Sequence, residues 1–391
     1  MTTATKNGFL SDELIERCGQ RAAGYDRDNR FFSEDFDELR NAGYMTLNTP
    51  EEFGGLGYNL AETGKELRRL AYRAPETALA MNMHLYWVGI AADLRRFGDP
   101  SLEWMLREAV EGEVFAAGHA EVGNDLPGLL STSSAVKVDG GYRFTGHKMF
   151  GSLTPVWTRF GLHAMDTSNP SQPMTVHAFL PKGTEGVEIR ETWDVLGMRS
   201  TKSDDTILKD AFVPDRYIAR VLPSGALDPF LGSLFANALV GIANVYYGLA
   251  LRARDLAVEA TKRKTSLAVS RSMAYHPEFQ HSAAEMTFEI ESMGPHIDRI
   301  AEDWSNGVDH GAWWAAKIVS MKYHVVESAK RVVDIAMDMS GGAGLYKTNE
   351  LERLYRDVRA GGFHPANSAL THEIVGKTTL GVGLDEQPRW G

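Results

Sequence analysis

The hydrophobic period changes twice along these 391 residues, and that double switch limits the fold more than any single motif. Up to about His119 the pattern is helical. Ser33 opens a stretch with Phe36 and Leu39 on one face, Gly43 closes it, and Pro75 opens a longer stretch through Thr77, Met81, His84 and Val88. That second stretch is apolar nearly all round, so it belongs between neighbours. From Ala120 to Leu222 the period shortens to two. AVKVDGGYRFTGHKMF holds two runs joined by Asp139, Gly140 and Gly141, a hairpin signal, and MTVHAFLP, GVEIR and DTILKDAFVP continue the pattern. Long helices then return over about 228–266, 277–306, 313–339 and 365–380. The expected organisation is an N-terminal α-helical domain at 1–119, a compact middle β domain at 120–222 and a helical C-terminal domain at 223–391, mostly α overall.

Charge and cysteine content narrow the function. Lys and Arg number 41 against 52 Asp and Glu, a formal net charge of -11. Such a chain gains nothing from phosphate neutralisation, which argues against nucleic acid and anionic membranes as partners. Cys18 is the single cysteine, so no disulfide forms within the chain and no cysteine set holds a metal. The expectation is no metal and a reducing, cytoplasmic setting. MTTATKNGFLSDELIER lacks the apolar core of a signal peptide. The longest apolar run, FANALVGIANVYYGLA, is interrupted by Asn237 and Asn244 and flows into LRARDLAVEATKRK. It reads as a buried helix and not a membrane span.

Five stretches then carry a resemblance: PEEFGGLGY, GYRFTGHKMFGS, LGMRSTKSDDTILKDAFVP, RKTS and GGAGLYKTNELERLYRD. In that order and spacing, over nearly the whole chain, they resemble the acyl-CoA dehydrogenase superfamily. The resemblance implies an N-terminal helical domain, a β-barrel-like middle domain and a C-terminal four-helix bundle, assembled as a homotetramer or dimer of dimers. It also implies bound FAD between the β domain and the bundle, completed by a neighbouring subunit. By the same resemblance Phe150 covers the flavin ring in place of tryptophan, and Ser152 stands at a flavin nitrogen in place of threonine. Glu121 and Asn124, in the altered loop AEVGNDLPG, are further flavin-side positions. Arg263 reaches a diphosphate, with Gly341 and Gly342 giving close backbone approach. Asp338 departs from the family pattern, standing where a glutamine usually meets the cofactor.

The catalytic base is where the chain departs most. Desaturation of an acyl thioester needs a carboxylate within reach of the substrate carbon. The two family slots fall at Pro365 and Ala238, and neither is acidic. Glu373 lies two helical turns beyond Pro365, about 12 Å along a helix axis. The nearby imidazoles are His364, in the vacated slot, and His84, on the first-domain helix, with Trp87 beside it toward substrate. A histidine pair with a flavin-facing serine is similar to the flavin-dependent monooxygenases of this fold, such as the dibenzothiophene and nitrogen-hydroxylating enzymes. Imidazole suits that chemistry because it exchanges protons near neutral pH. The favoured expectation is therefore a monooxygenase using reduced flavin and O2 on a small hydrophobic or acyl substrate. Its catalytic residues would be His84 and His364, its cofactor FAD, or FMN when a separate reductase feeds it. The alternatives are an acyl-CoA dehydrogenase with a displaced base, served by an electron-transfer flavoprotein, and an inactive scaffold. Trp304, Trp313 and Trp314 fit either a core or a substrate tunnel.

Overall fold

The computed structural model describes residues 8–268 and 270–384. Five helices come first: α1 (Asp12–Arg27), α2 (Ser33–Asn41), α3 (Leu60–Ala71), α4 (Pro75–Arg96) and α5 (Glu103–Val110). Local chemistry sets their ends. Ser11 accepts the Leu14 amide ahead of α1, Asn59 and Glu62 satisfy each other's backbone ahead of α3, and Pro75 fills the first turn of α4. Ser33 begins α2 without capping it, since Phe32 holds the cap position. α4 is buried on almost every side, as its unbroken apolar text requires.

Eight strands follow: β1 (Phe115–Gly118), β2 (Ser134–Val138), β3 (Gly141–Gly151), β4 (Arg159–Asp166), β5 (Met174–Pro181), β6 (Val187–Arg190), β7 (Asp204–Pro214) and β8 (Ile218–Pro223). They form one sheet in the order β6-β7-β3-β2-β4-β5-β8, with β1 parallel to β4. The sheet thus begins at Phe115, inside the segment expected to be wholly helical. Gly140, at φ 78°, makes the turn between β2 and β3, where Val138 pairs with Gly141.

The chain returns to helices with α6 (Pro229–Arg263), α7 (Pro277–Ser305), α8 (Trp313–Ser340), α9 (Glu350–Arg359) and α10 (Ser368–Leu380). α6 is the axis of the molecule, packing on α3, α4, α7 and α8. Two glycines permit the approach. A Cβ at Gly241 would meet Asn82 Oδ1 at 2.0 Å, and one at Gly248 would meet the Arg68 carbonyl at 2.5 Å. α6 is long and apolar enough to cross a membrane, yet most of that stretch is buried inside the fold. α10 starts at Ser368, capped by Asn367, which accepts the Leu370 amide. Pro365 therefore lies outside the last helix, and His364 does not cap it.

Candidate active site

β3 ends in the stretch Lys148–Ser152, and its geometry is unusual. Phe150 takes φ 57°, is half exposed and meets Trp193 edge-on at 5.8 Å. The left-handed backbone of a bulky residue is strained, and here it turns the ring out of the sheet. Ser152, nearly sealed, has its Oγ 2.7 Å from Ser203 Oγ, which is 2.7 Å from Thr201 Oγ1. Thr201 Oγ1 donates to the Met198 carbonyl at 2.8 Å. Three hydroxyls thus form one file. Sequence reading found Ser152 but not Ser203 or Thr201, because the file depends on a loop folding back beside the strand.

That loop, residues 198–203, is clamped by carboxylates from three helices. Asp357 of α9 accepts the Met198 amide at 2.7 Å. Glu76 of α4 accepts the Arg199 amide at 3.2 Å and the Ser200 hydroxyl. Asp26 of α1 lies 3.9 Å from Arg199 Nε and also holds Arg356 of α9 through two short bonds, 2.8 and 2.6 Å. Burial, and in Asp357 then the nearby Glu76, pushes the carboxyls of Glu76 and Asp357 upward. Oxygens of these three acids lie within 4.8 Å of one another, but their partners are backbone amides, a hydroxyl and arginines.

Glu121 is likewise committed. It accepts from Lys148 Nζ, Ser131 Oγ, Ser133 Oγ, the Thr132 amide and Asn124 Nδ2, with both ionic side chains fully buried. Burial pushes the Glu121 carboxyl up, but Lys148 and the hydroxyls outweigh it and hold the group down at about 2. Asn124 also donates to the Leu130 carbonyl and accepts the Leu126 amide. Glu121 and Asn124 therefore shape the loop behind the strand end. Lys148 was missed, although the alternation from Phe144 places it on an inward face. Beside this pair a row of histidines crosses adjacent strands. His119 lies 5.2 Å from His163, and His163 lies 5.7 Å from its register partner His177. Both ring nitrogens of His177, Nδ1 of His163 and Nε2 of His119 are buried without a protein partner.

The expected pair of catalytic histidines is not brought together. His84 is fully buried, with Nε2 2.8 Å from the Met45 carbonyl and Nδ1 accepting the Phe115 amide at 3.1 Å. Both nitrogens are spent on backbone, and burial lowers the ring to about 4. The expectation that His84 is catalytic is corrected: it ties α4 to β1. Trp87 is equally enclosed. It is buried against His119, Phe179 and Phe230 and donates to the Ala116 carbonyl at 3.0 Å. His364 is different. Its Nε2 lies 2.9 Å from Tyr246 Oη, and Lys322 Nζ donates to the His364 and Ala366 carbonyls. Burial and then Lys322 lower the imidazole to about 3, so it is neutral at ordinary pH. Ala238 is partly buried on α6, and its carbonyl receives Asn82 Nδ2 at 3.5 Å.

Two cavities complete the region. One, of about 1050 Å³, is walled chiefly by apolar groups, among them Leu129, Phe235, Trp304, Trp313, Trp314 and Ile318. All three tryptophans weighed in the sequence line it. So does Glu373, ion-paired with Lys377 at 3.0 Å. The other, of about 770 Å³, is lined by Asp334, Asp338, Gly341, Gly342, Gly344 and Tyr355 among others. Gly341 sits at φ 63°, and a Cβ there would come within 3.3 Å of Lys264 Nζ. Exposed Arg263 precedes that lysine at the end of α6. Glycine backbone beside the Lys264 ammonium suits a diphosphate, and the flanking carboxylates suit a hydroxylated sugar.

Comparison with known proteins agrees with this architecture. Residues 7–108 match the N-terminal domain model of acyl-CoA dehydrogenase, and residues 240–369 match the C-terminal one. YdbM of Bacillus subtilis (strain 168), whose name assigns it provisionally to the acyl-CoA dehydrogenases, is 29% identical over 95% of this chain and 94% of its own. The amino sugar nitrososynthase DnmZ of Streptomyces peucetius is 29% identical over 88% of this chain and 86% of its own. Dibenzothiophene monooxygenase of Rhodococcus qingshengii is 26% identical, covering 94% and 91%. KijD3, solved with FMN and an amino-keto sugar nucleotide, superposes with a TM-score of 0.84 at 25% identity, covering 96% of this chain and 93% of KijD3. The helical domain, the sheet and the bundle, matched at both ends by family models, place this chain in the acyl-CoA dehydrogenase family of oxidoreductases.

Proposed function

We propose that the protein is a flavin-dependent monooxygenase that uses reduced flavin and O2 on a small, largely apolar substrate. One observation carries the reading: Pro365 and Ala238 occupy the two base slots, so no carboxylate stands there. The cofactor would be FAD, held at its adenylate end by Gly341, Gly342 and Asp338 with Arg263 reaching across a subunit interface, or FMN when a separate reductase supplies it reduced. Phe150 and Ser152 would face the ring. When bound, the flavin supplies the oxygen chemistry. The chain supplies position and an apolar chamber. Tyr246, whose burial holds its proton on, lies 2.9 Å from His364 Nε2, and this neutral contact would fix the orientation of the imidazole in the vacated slot. The relatives named for dibenzothiophene and isobutylamine oxidation support the class.

A second reading has its own support. Glu373 lines the large cavity, so an acyl-CoA dehydrogenase with a displaced base is the competing reaction. The experiment supplies chemically reduced FAD or FMN, labelled O2, and dibenzothiophene or isobutylamine. Mass spectrometry that finds one labelled oxygen atom in a product supports the oxygenase; hydrogen peroxide as the sole product counts against it. Absorbance of the purified protein with added flavin separates both enzymes from an inactive scaffold.

A further inference from the structure

The file of hydroxyls beneath the strand end has a direction. A carbonyl only accepts, so the Thr201 proton lies toward Met198 O. Thr201 Oγ1 then accepts from Ser203, which in turn must accept from Ser152. Each hydroxyl has one proton, so the file spends the Ser152 proton inward. Ser152 Oγ is left with lone pairs alone to offer outward. The loop that fixes this order is held by Asp357 and Glu76.

We infer that Thr201 and Ser203 are positioning residues that make Ser152 an obligate hydrogen-bond acceptor, and thereby select reduced flavin over oxidised flavin. The chemistry is general. The ring nitrogen at the reacting edge is a lone-pair acceptor when oxidised and an N–H donor when reduced. A pure acceptor pairs with the second and repels the first. The inference rests on the reading of Ser152 as the residue facing that nitrogen. It adds the redox state in which the cofactor is preferred, which suits a protein that receives reduced flavin from elsewhere. The gain or loss of one neutral hydrogen bond sets the selectivity at up to roughly tenfold.

The test compares wild type with Thr201→Val. Valine keeps the shape but offers no acceptor, so the Ser203 proton turns back to Ser152, whose own proton is freed to point outward. Anaerobic fluorescence titration with oxidised and with reduced flavin should give a wild-type preference for the reduced form that falls roughly tenfold in the variant. The midpoint potential of the bound flavin should fall by about 30 mV, the same factor for a two-electron couple. Ser203→Ala breaks the file at its middle and should shift both readings in the same direction, which keeps the test alive if the valine variant does not fold. An unchanged ratio and potential in folded, flavin-binding variants overturns the inference while leaving the oxygenase reading in place. Failure of wild type to bind either form of flavin overturns both.

Discussion

At the residue scale, the two histidines singled out in the sequence have different partners, backbone atoms for His84 and the Tyr246 hydroxyl for His364. His84 spends both nitrogens on backbone atoms of Met45 and Phe115, so His84→Ala leaves a cavity and two unpaired backbone groups. We expect a loss of about 2–5 kcal/mol in urea unfolding, with flavin affinity kept in the folded fraction; lost affinity at unchanged stability would return His84 to the site. The buried rings also set an acid limit. His84 is lowered to about 4, and His119, His177 and His364 to about 3, burial being the leading cause in each. Their folded values lie below the ordinary 6.5, so the unfolded chain takes up protons that the folded chain refuses. Stability is full above pH 6.5 and declines as pH falls from there toward 4 and 3, by about 1.4 kcal/mol per pH unit for each ring. Urea midpoints that fall steadily from neutral pH to pH 5 would match; a flat profile would not. The sequence named His84 and His364 because it showed two imidazoles near an absent acid. Their separation was illegible, since Met45 and Phe115 reach His84 only through tertiary packing.

At the element scale, what was legible was periodicity and what was not was aim. The double change of period located the three zones, and Pro75 and Pro277 mark the first residues of α4 and α7. The last helix was expected three residues early because Pro365 looked like its opening, whereas Asn367 makes the capping bond. The consequence is chemical: Pro365 and His364 lie in the turn before α10, while Glu373 on α10 faces the cavity. α6 offers a direct probe of that chamber. Gly232 lines it, and a Cβ there would sit 3.7 Å from Trp304, an ordinary contact. Gly232→Ala should fold at least as well as wild type, since glycine costs a helix about 0.5–1 kcal/mol. Gly232→Leu fills the chamber and should raise KM for an apolar substrate at least tenfold; an unchanged KM would move the substrate elsewhere.

For the whole molecule, the sequence predicted the layered plan and the charge, but not which surfaces are covered. Phe288, Leu345, Tyr346, Phe363 and Leu380 are each 66–82% exposed, and all belong to the C-terminal helices and their turns. Exposed large apolar groups mark an interaction surface, so we expect a homotetramer by light scattering at micromolar concentration; a monomeric mass would contradict it. With Pro365 and Ala238 in the two slots, the acid needed to take a substrate proton is missing there. The most direct test mixes the oxidised, flavin-loaded protein with a saturated medium-chain acyl-CoA under nitrogen, beside its Glu373→Gln variant. The yellow absorbance should persist in both. Rapid bleaching of the wild type that disappears in Glu373→Gln would contradict it and identify a dehydrogenase with a displaced base.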